Sequence, residues 1–183
     1  MEGERKVVGV FGGSFAPVHE GHIGVACEVI RRGLADEVWM IPCRRNPLKE
    51  TVALPDDMRL GLLRKAIAEA EERENLHHRL RLELIELSMP DPSFTWQTME
   101  ALRAKYPDYD FRLVIGADSY LNFTKWAKHD WLAQQFRPIV FPRPGYEIHD
   151  VNPCFTLMTG VREYDISSTR LRAQDFTPHT YKK

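Results

Sequence analysis

The stretch "KVVGVFGGSFAPVHEGH", residues 6–22, decides the fold because it joins the end of one element to the start of the next. Residues 6–13 form an apolar run that ends in two glycines, a pattern typical of a buried strand. Residues 22–33 carry apolar side chains at helical spacing and end in Gly33, which suits a helix C-cap. Residues 36–42, "DEVWMIP", predict a second strand. This strand–helix–strand order is typical of a parallel βαβ unit.

The rest of the chain continues the alternation of helices and strands. The predicted elements are a helix over 56–73 capped by Asp56, a strand over 79–87, a helix within 93–107, a strand over 110–118, a short helix over 129–136, a strand within 137–145, a last strand within 154–160 and a helix over 167–174. We therefore predict the α/β class: a Rossmann-like open, mainly parallel sheet with helices on both faces. We expect one domain over residues 1–183 with a short C-terminal tail.

Composition argues against several classes of protein. The 25 basic and 26 acidic residues nearly cancel, so there is no overall attraction for nucleic acid or for an anionic membrane. Cys27, Cys43 and Cys154 are odd in number and far apart, which argues against a disulfide framework and against a structural zinc site. No signal peptide and no run of about 20 apolar residues is visible. We expect a cytoplasmic protein with reduced thiols.

Residues 12–22 have the character of an anion site. Gly12 and Gly13 let the backbone turn sharply and let a ligand approach without a Cβ in the way. The helix that follows presents free N–H groups and the positive end of its dipole, which favours a phosphate. His19 and His22 add imidazoles, which can carry a proton and stabilise developing charge.

Other interpretations of this stretch fit less well. Gly9, Gly12 and Gly13 do not match the GxGxxG pattern of dinucleotide-binding proteins, and no GxxxxGK[ST] phosphate loop is present. The sequence HEGH places its histidines three apart, whereas the HExxH zinc motif needs them four apart on a formed helix. Two structural histidines that cap a turn remain an open alternative.

Five motifs together resemble those of bacterial nicotinate mononucleotide adenylyltransferases, members of the nucleotidyltransferase superfamily with an HxGH motif. They are "GGSFAPVHEGH" (12–22), "IPCRRNPLKE" (41–50), "PSFTWQTMEAL" (92–102), "IGADSYLNFTKW" (115–126) and "ISSTRLR" (166–172). The resemblance runs from about residue 7 to residue 172, with the motifs in the family's order and spacing.

The resemblance implies transfer of AMP from ATP to nicotinate mononucleotide, giving nicotinate adenine dinucleotide and pyrophosphate. Such chemistry needs positioning and charge neutralisation more than a nucleophilic side chain. The partners implied are ATP and a pyridine mononucleotide, and Mg²⁺ is expected to bridge the ATP phosphates. A homo-oligomer is left open.

The resemblance also assigns roles to individual residues. The catalytic residues it implies are His19, His22, Lys49 and Arg172. For ATP binding it implies Gly12, Gly13, Ser14, Phe15, Gly116, Asp118, Ile166, Ser168 and Thr169. For the mononucleotide it implies Thr95, Trp126 and Arg143, with Trp126 stacked on the pyridinium ring. We expect Trp39, Trp96 and Trp131 to be packing residues.

The chain departs from the family at two places. Position 16 is alanine, where the family usually has aspartate, and only eleven residues follow Arg172, where the family usually has a longer helical tail. Two alternatives therefore stay open. One is an adenylyltransferase of the same fold with another acceptor, such as nicotinamide mononucleotide or a phosphopantetheine-like phosphate. The other is a non-catalytic nucleotide-binding paralogue.

Overall fold

The computed structural model describes residues 4–43, 55–90 and 93–160. Its strands are β1 (Lys6–Gly13), β2 (Glu37–Pro42), β3 (Leu80–Leu82), β4 (Tyr109–Gly116), β5 (Ile139–Phe141) and β6 (Thr156–Leu157). Its helices are α1 (Glu20–Arg31), α2 (Asp56–Arg73), α3 (Thr95–Lys105), α4 (Ala117–Leu121) and α5 (His129–Phe136). Two 3₁₀ turns lie at Ile85–Ser88 and Phe123–Lys125.

The six strands form one sheet in the order β3-β2-β1-β4-β5-β6, and every neighbouring pair is parallel. β1 pairs with β2 on one side and with β4 on the other, so the direction of winding reverses at β1. In open parallel sheets, ligands bind beyond the carboxyl ends of the strands at such a reversal point. The predicted α/β class is confirmed, and the sheet is wholly rather than mainly parallel in the described residues.

Side-chain alternation along the strands supplies a hydrophobic core on each face of the sheet. On β1, Val8 and Val10 point to one core and Phe11 to the other. Helices α1 and α2 cover the Phe11 face, while α3 and α5 cover the Val10 face. The predicted placement of helices on both faces is therefore confirmed.

Helix α1 packs closely against the centre of the sheet. A Cβ at Gly9 would be in contact with Val29 on α1 at 3.6 Å and would lie 3.1 Å from Val114 and 3.3 Å from Val38, so these two side chains on the neighbouring strands would have to shift. The helix ends at Arg31 with Arg32 as its C-cap, and Gly33, predicted as the C-cap, follows directly with a φ of +68°. The Leu34 N–H donates to the Val29 carbonyl at 3.1 Å, which completes the capping motif.

Three details differ from the sequence predictions. Asp56 does not cap α2; it is the first helical residue, and Pro55 occupies the cap position without a side-chain hydrogen bond. The strand predicted over 79–87 is confined to Leu80–Leu82, because only these residues pair with β2 before the chain turns at Ile85–Ser88. Helix α4 is absent from the sequence predictions, and its first two residues, Ala117 and Asp118, fall at the end of the strand predicted over 110–118.

Strand β1 and helix α5 have the predicted ends, and the other remaining predicted elements are present with shifted ends. The helix predicted over 167–174 lies outside the described residues. Trp39 is 1% exposed and donates through Nε1 to the buried Glu37 at 3.1 Å, which confirms its packing role. Trp96 and Trp131 are partly buried against the same core. No helix within the described ranges is both long and apolar enough to span a membrane.

Candidate active site

The carboxyl ends of β1 and β4 open into a cavity of about 410 Å³. The cavity gathers eleven residues that the sequence predicted for the site: Gly12, Gly13, Ser14, Phe15, His19, His22, Thr95, Gly116, Asp118, Trp126 and Arg143. The other predicted site residues, Lys49, Ile166, Ser168, Thr169 and Arg172, lie outside the described residues. The sheet thus brings three of the five sequence motifs, together with Arg143, to one place.

One wall of the cavity is the turn after β1, here called the phosphate turn, residues Gly12–Phe15. The backbone leaves the sheet at Gly13, whose carbonyl accepts a hydrogen bond from the Cys43 N–H at 2.8 Å. Phe15 has a φ of +45° and a side chain that is 1% exposed. This φ lies in the left-handed region, where a bulky residue is strained and needs support from its surroundings. Ala16, 4% exposed, is buried directly after it.

His19 and His22 hold the start of α1 through a reciprocal pair of hydrogen bonds. The Gly21 N–H donates to Nδ1 of His19 at 3.0 Å, and the His19 N–H donates to Nδ1 of His22 at 3.0 Å. This arrangement has the form of a capping box, with imidazole nitrogens in place of the usual oxygens. The two rings stack with their centroids 3.6 Å apart. The structural role left open by the sequence is therefore real, and both histidines also line the cavity.

The cap determines where each neutral imidazole carries its proton. Because Nδ1 accepts in both rings, the proton of the neutral form lies on Nε2. No described residue accepts a hydrogen bond from either Nε2. Each histidine can therefore donate one N–H to a ligand while it still caps the helix.

Burial keeps both histidines neutral. Desolvation, followed by the charge of Arg143, lowers the pKa of His19 to about 4. Desolvation, followed by the proximity of His19 and then of Arg143, lowers the pKa of His22 well below its usual range. In the unliganded protein near pH 7 the pair is therefore uncharged, and it stabilises anions by donating hydrogen bonds rather than by carrying positive charge.

Asp118 and Arg143 form an ion pair on the other side of the cavity. A guanidinium nitrogen of Arg143 lies 3.0 Å from Oδ2 of Asp118. Gly116 permits this pair, since a Cβ there would lie 2.6 Å from Oδ1 of Asp118 and 2.9 Å from Cδ of Arg143. A glycine at the end of β4 is thus required by close approach of side chains.

The third wall is formed by the start of α3 and by Trp126. Helix α3 begins at Thr95, and its first N–H groups have no partners inside the helix, as at any helix start. The Phe94 N–H is satisfied by Oε1 of Gln97 at 2.8 Å. Trp126 is backed by Phe123, whose ring centroid is 5.0 Å away. This wall combines a helix start, a feature whose N–H groups favour anions, with an aromatic face.

Glu86 is a cavity residue that the sequence analysis missed. Its Oε1 accepts from the Ser93 hydroxyl at 3.4 Å, and the Thr98 hydroxyl is also within hydrogen-bonding reach. Burial raises the pKa of this carboxyl, and the two hydroxyls partly oppose the shift. The sequence did not indicate this role, because Glu86 falls within a predicted strand. Its side chain faces the cavity only because β3 stops pairing with β2 and a 3₁₀ turn follows.

Arg59 is the second missed residue. It is 4% exposed and lies on α2, with one guanidinium nitrogen bonded to the carbonyls of Ser14 at 2.8 Å and Cys43 at 2.7 Å. A signal existed in the sequence, because Arg59 occupies the same helix face as the buried Leu63 and Ile67. A charged residue in an apolar stripe needs a partner inside the fold.

The comparisons of this chain with known proteins agree with one another on its family. Residues 10–174 match the family model described as cytidylyltransferase-like. The chain is 34% identical to a probable nicotinate-nucleotide adenylyltransferase of Bacteroides thetaiotaomicron over 93% of this chain and 82% of that protein. It is 33% identical to the nicotinate-nucleotide adenylyltransferase of Bacillus subtilis over 91% of this chain and 84% of that protein.

Solved structures agree on the fold. The nicotinic acid mononucleotide adenylyltransferase of Plasmodium falciparum complexed with NaAD superposes with a TM-score of 0.77, covering 97% of this chain and 89% of that one. The sequence identity is 19%, so this likeness concerns the fold alone.

Proposed function

Because this chain belongs to the nicotinate-nucleotide adenylyltransferase family, we infer that it is a nucleotidyltransferase that transfers AMP from ATP to nicotinate mononucleotide. The products are nicotinate adenine dinucleotide and pyrophosphate. One observation carries the assignment beyond the family: the histidine pair, whose Nε2–H groups have no acceptor among the described residues, lines the same cavity as the phosphate turn. Both serve the triphosphate of ATP.

The reaction is an in-line exchange of one phosphorus–oxygen bond for another. A phosphate oxygen of the mononucleotide forms a bond to the α-phosphorus, and the bond from that phosphorus to the bridging α–β oxygen breaks. The electron pair leaves with pyrophosphate, and no covalent enzyme intermediate forms. Catalysis then depends on holding the two phosphates in line and on donors aimed at the charge that develops.

The histidine pair suits this task because it is neutral and preorganised. Each Nδ1 is fixed by a backbone N–H, so each Nε2–H is oriented before ATP arrives. Donors that do not reorganise during the reaction stabilise the transition state most effectively. Arg143, which lowers the pKa of both histidines through its charge, adds positive potential to the cavity.

The acceptor is proposed to lie at the wall formed by α3 and Trp126. The pyridinium ring of the mononucleotide would stack on Trp126, where a cation–π attraction adds to ordinary stacking. Its carboxylate would meet the first N–H groups of α3 near Thr95. The Asp118 carboxylate, held by Arg143, would bind a sugar hydroxyl of the nucleotide.

Mg²⁺ is proposed to enter with ATP as the MgATP substrate. In the part of the chain that the structure describes, no three His, Cys, Asp or Glu side chains are grouped to hold a metal ion. The Asp118 carboxylate, an oxygen donor of the kind Mg²⁺ prefers, is engaged with Arg143. The cavity therefore suits an ion carried by the phosphates, and the chain's own residues act on the phosphate oxygens.

We further propose a cytoplasmic location, since the free thiols of Cys27 and Cys154 suit a reducing compartment. The proposed partners are ATP and the pyridine mononucleotide, without nucleic acid or membrane.

The test is pyrophosphate release from MgATP with nicotinate mononucleotide, nicotinamide mononucleotide or phosphopantetheine as the acceptor. We expect strong preference for nicotinate mononucleotide and identification of nicotinate adenine dinucleotide as the product. Preference for another acceptor would contradict the substrate assignment. ATP binding without pyrophosphate release from any acceptor would favour a non-catalytic paralogue, and recovery of activity in Ala16→Asp would trace the loss to position 16.

A further inference from the structure

We propose that Arg59 is a positioning residue that orients the phosphate turn toward ATP. This inference rests on the proposed function, because it assumes that residues Gly12–Phe15 bind the nucleotide phosphates. Arg59 lies on α2 and belongs to none of the motifs that carry the family resemblance. Its guanidinium reaches the turn from inside the fold.

The contacts of Arg59 join three segments at one point. One guanidinium nitrogen donates to the Ser14 carbonyl in the phosphate turn and to the Cys43 carbonyl after β2. The other terminal nitrogen lies 3.3 Å from Oδ1 of Asp56 at the start of α2. Hydrogen bonds from a charged guanidinium to carbonyl oxygens are among the stronger ones, and the planar fork fixes their directions.

The bond to Ser14 determines which way the next N–H points. The Ser14–Phe15 peptide is trans, so the Phe15 N–H points opposite to the Ser14 carbonyl. Since the carbonyl points at the buried Arg59, the N–H points away from it. No described residue accepts a hydrogen bond from the Phe15 N–H, and Phe15 lines the cavity. The N–H is therefore available for a phosphate oxygen.

The turn needs such support because it is strained. Phe15 holds a φ of +45°, and a bulky residue keeps this conformation only when its surroundings enforce it. The Cys43 N–H donates to the Gly13 carbonyl, while Arg59 bonds the Cys43 carbonyl and the Ser14 carbonyl. Arg59 and the end of β2 thus hold two consecutive peptide units of the turn.

Stability alone gives little reason for an arginine at this position. The side chain of Arg59 is 5% exposed, and its carboxylate partner on Asp56 is 75% exposed. Its Nε is buried without a hydrogen-bond partner among the described residues. Burying such a charge is costly, and an apolar residue of similar length is often as stable or more so. The guanidinium donates two hydrogen bonds to carbonyl oxygens, which a methionine could not do.

The experiment compares Arg59→Lys and Arg59→Met with the wild type, with Arg64→Met as an exposed control on the same helix. Lysine keeps the charge but lacks the fork, and methionine removes both. Three quantities are measured: the Kd of a non-hydrolysable MgATP analogue without acceptor, the kcat, and the KM of each substrate. Kinetic values are expressed per folded molecule from the unfolding curve of each variant.

We expect kcat/KM for ATP to fall about tenfold in Arg59→Lys and about 100-fold in Arg59→Met, as small displacements of positioning groups do. The Kd of the analogue should rise in both, while the KM of the acceptor stays within about twofold of wild type. Arg64→Met should match the wild type.

A purely structural role would lower the unfolding midpoint but leave Kd, kcat and both KM values of the folded molecules unchanged, and that result would overturn the inference. If Arg59→Met does not fold, Arg59→Lys decides alone. Wild-type protein that fails to bind the MgATP analogue would instead overturn the proposed function, which is thereby distinguished from failure of the Arg59 inference.

Discussion

Nδ1 of His22 accepts the backbone N–H of His19 at 3.0 Å, so the second histidine of the pair caps the backbone of the first. His19 in turn accepts the Gly21 N–H through its own Nδ1. Each ring therefore uses one nitrogen to begin α1, and the other has no hydrogen-bond partner among the described residues. One pair of side chains serves both the local fold and the ligand, and variants can separate the two roles.

Replacement of His22 by alanine should remove a donor to the charge that develops at the α-phosphorus. We expect kcat to fall by at least about 100-fold, the usual cost of losing one such donor. Steady-state kinetics with saturating MgATP and nicotinate mononucleotide measures it. The overall fold should persist, as judged by circular dichroism. Near-normal turnover in the folded variant would remove His22 from the reaction.

Acid should destabilise the protein through the same histidines. Their pKa values are lowered in the folded state, to about 4 for His19, so between about pH 6.5 and pH 4 the unfolded chain binds protons that the folded chain does not. The free energy of unfolding therefore decreases as the pH is lowered across this window, by up to about 1.4 kcal/mol per pH unit for each such histidine.

The measurement compares unfolding midpoints of the wild type and of His19→Asn/His22→Asn at pH 7 and pH 5. Carboxylates contribute equally to both proteins, so the difference between their slopes reports the histidines. We expect a clearly smaller loss in the double variant. An equal loss of unfolding midpoint in both proteins would show that the histidines are protonated in the folded state as readily as in the unfolded one.

A methyl group at Gly116 should disturb the Asp118–Arg143 pair. The new Cβ would lie 2.6 Å from Asp118 and 2.9 Å from Arg143, so both side chains must shift. We expect a loss of about 1–3 kcal/mol in unfolding free energy, as overpacking usually costs, together with a higher KM for ATP.

The matched control for this variant is Gly61→Ala on α2, where a Cβ meets nothing within 4 Å. It should keep activity and gain about 0.5–1 kcal/mol in unfolding free energy, because alanine is the better helix former. If Gly116→Ala behaves like this control, the close approach of Asp118 and Arg143 to Gly116 does not affect stability or ATP binding.

Glu86 should act on the acceptor through the start of α3. Glu86→Ala removes the oxygen that receives the Ser93 hydroxyl, and we expect the KM for nicotinate mononucleotide to rise about fivefold, the equivalent of one hydrogen bond of about 1 kcal/mol. Glu86→Gln keeps an acceptor oxygen and should restore most of the affinity. Glu100→Ala, on the exposed side of α3, serves as the control. Equal KM changes for ATP and acceptor would argue against this local effect.

The sequence was sufficient for the parts of the fold that depend on local pattern. Gly12–Gly13 after an apolar run predicted the end of β1, and Gly33 predicted the end of α1. The boundaries that failed depend on partners: Asp56 had the chemistry of a cap, but Pro55 takes that position. β3 stops at Leu82 although the alternating pattern continues, because pairing with β2 ends there.

The candidate site divides in the same way. The motif residues were predicted, since glycines, histidines and helix starts have local signatures. The proton positions on His19 and His22 were not, because they depend on backbone geometry that no residue pattern contains. Arg59 was missed because its contact with Ser14 joins positions 45 residues apart in the sequence. Glu86 was missed because its orientation depends on where β3 stops pairing with β2.

The central claim is that His19 caps α1 through Nδ1 and donates to the ATP phosphates through Nε2, and His19→Asn tests it most directly. The asparagine side-chain oxygen reproduces the position of Nδ1, and asparagine is among the best helix caps, whereas nothing in its side chain reaches the position of Nε2. The measurement is turnover and unfolding midpoint on the same preparation at pH 7. We predict a midpoint equal to or above that of the wild type, with kcat reduced by at least about 100-fold. A variant that is equally stable and turns over at the wild-type rate would contradict the claim and leave His19 as a helix cap alone.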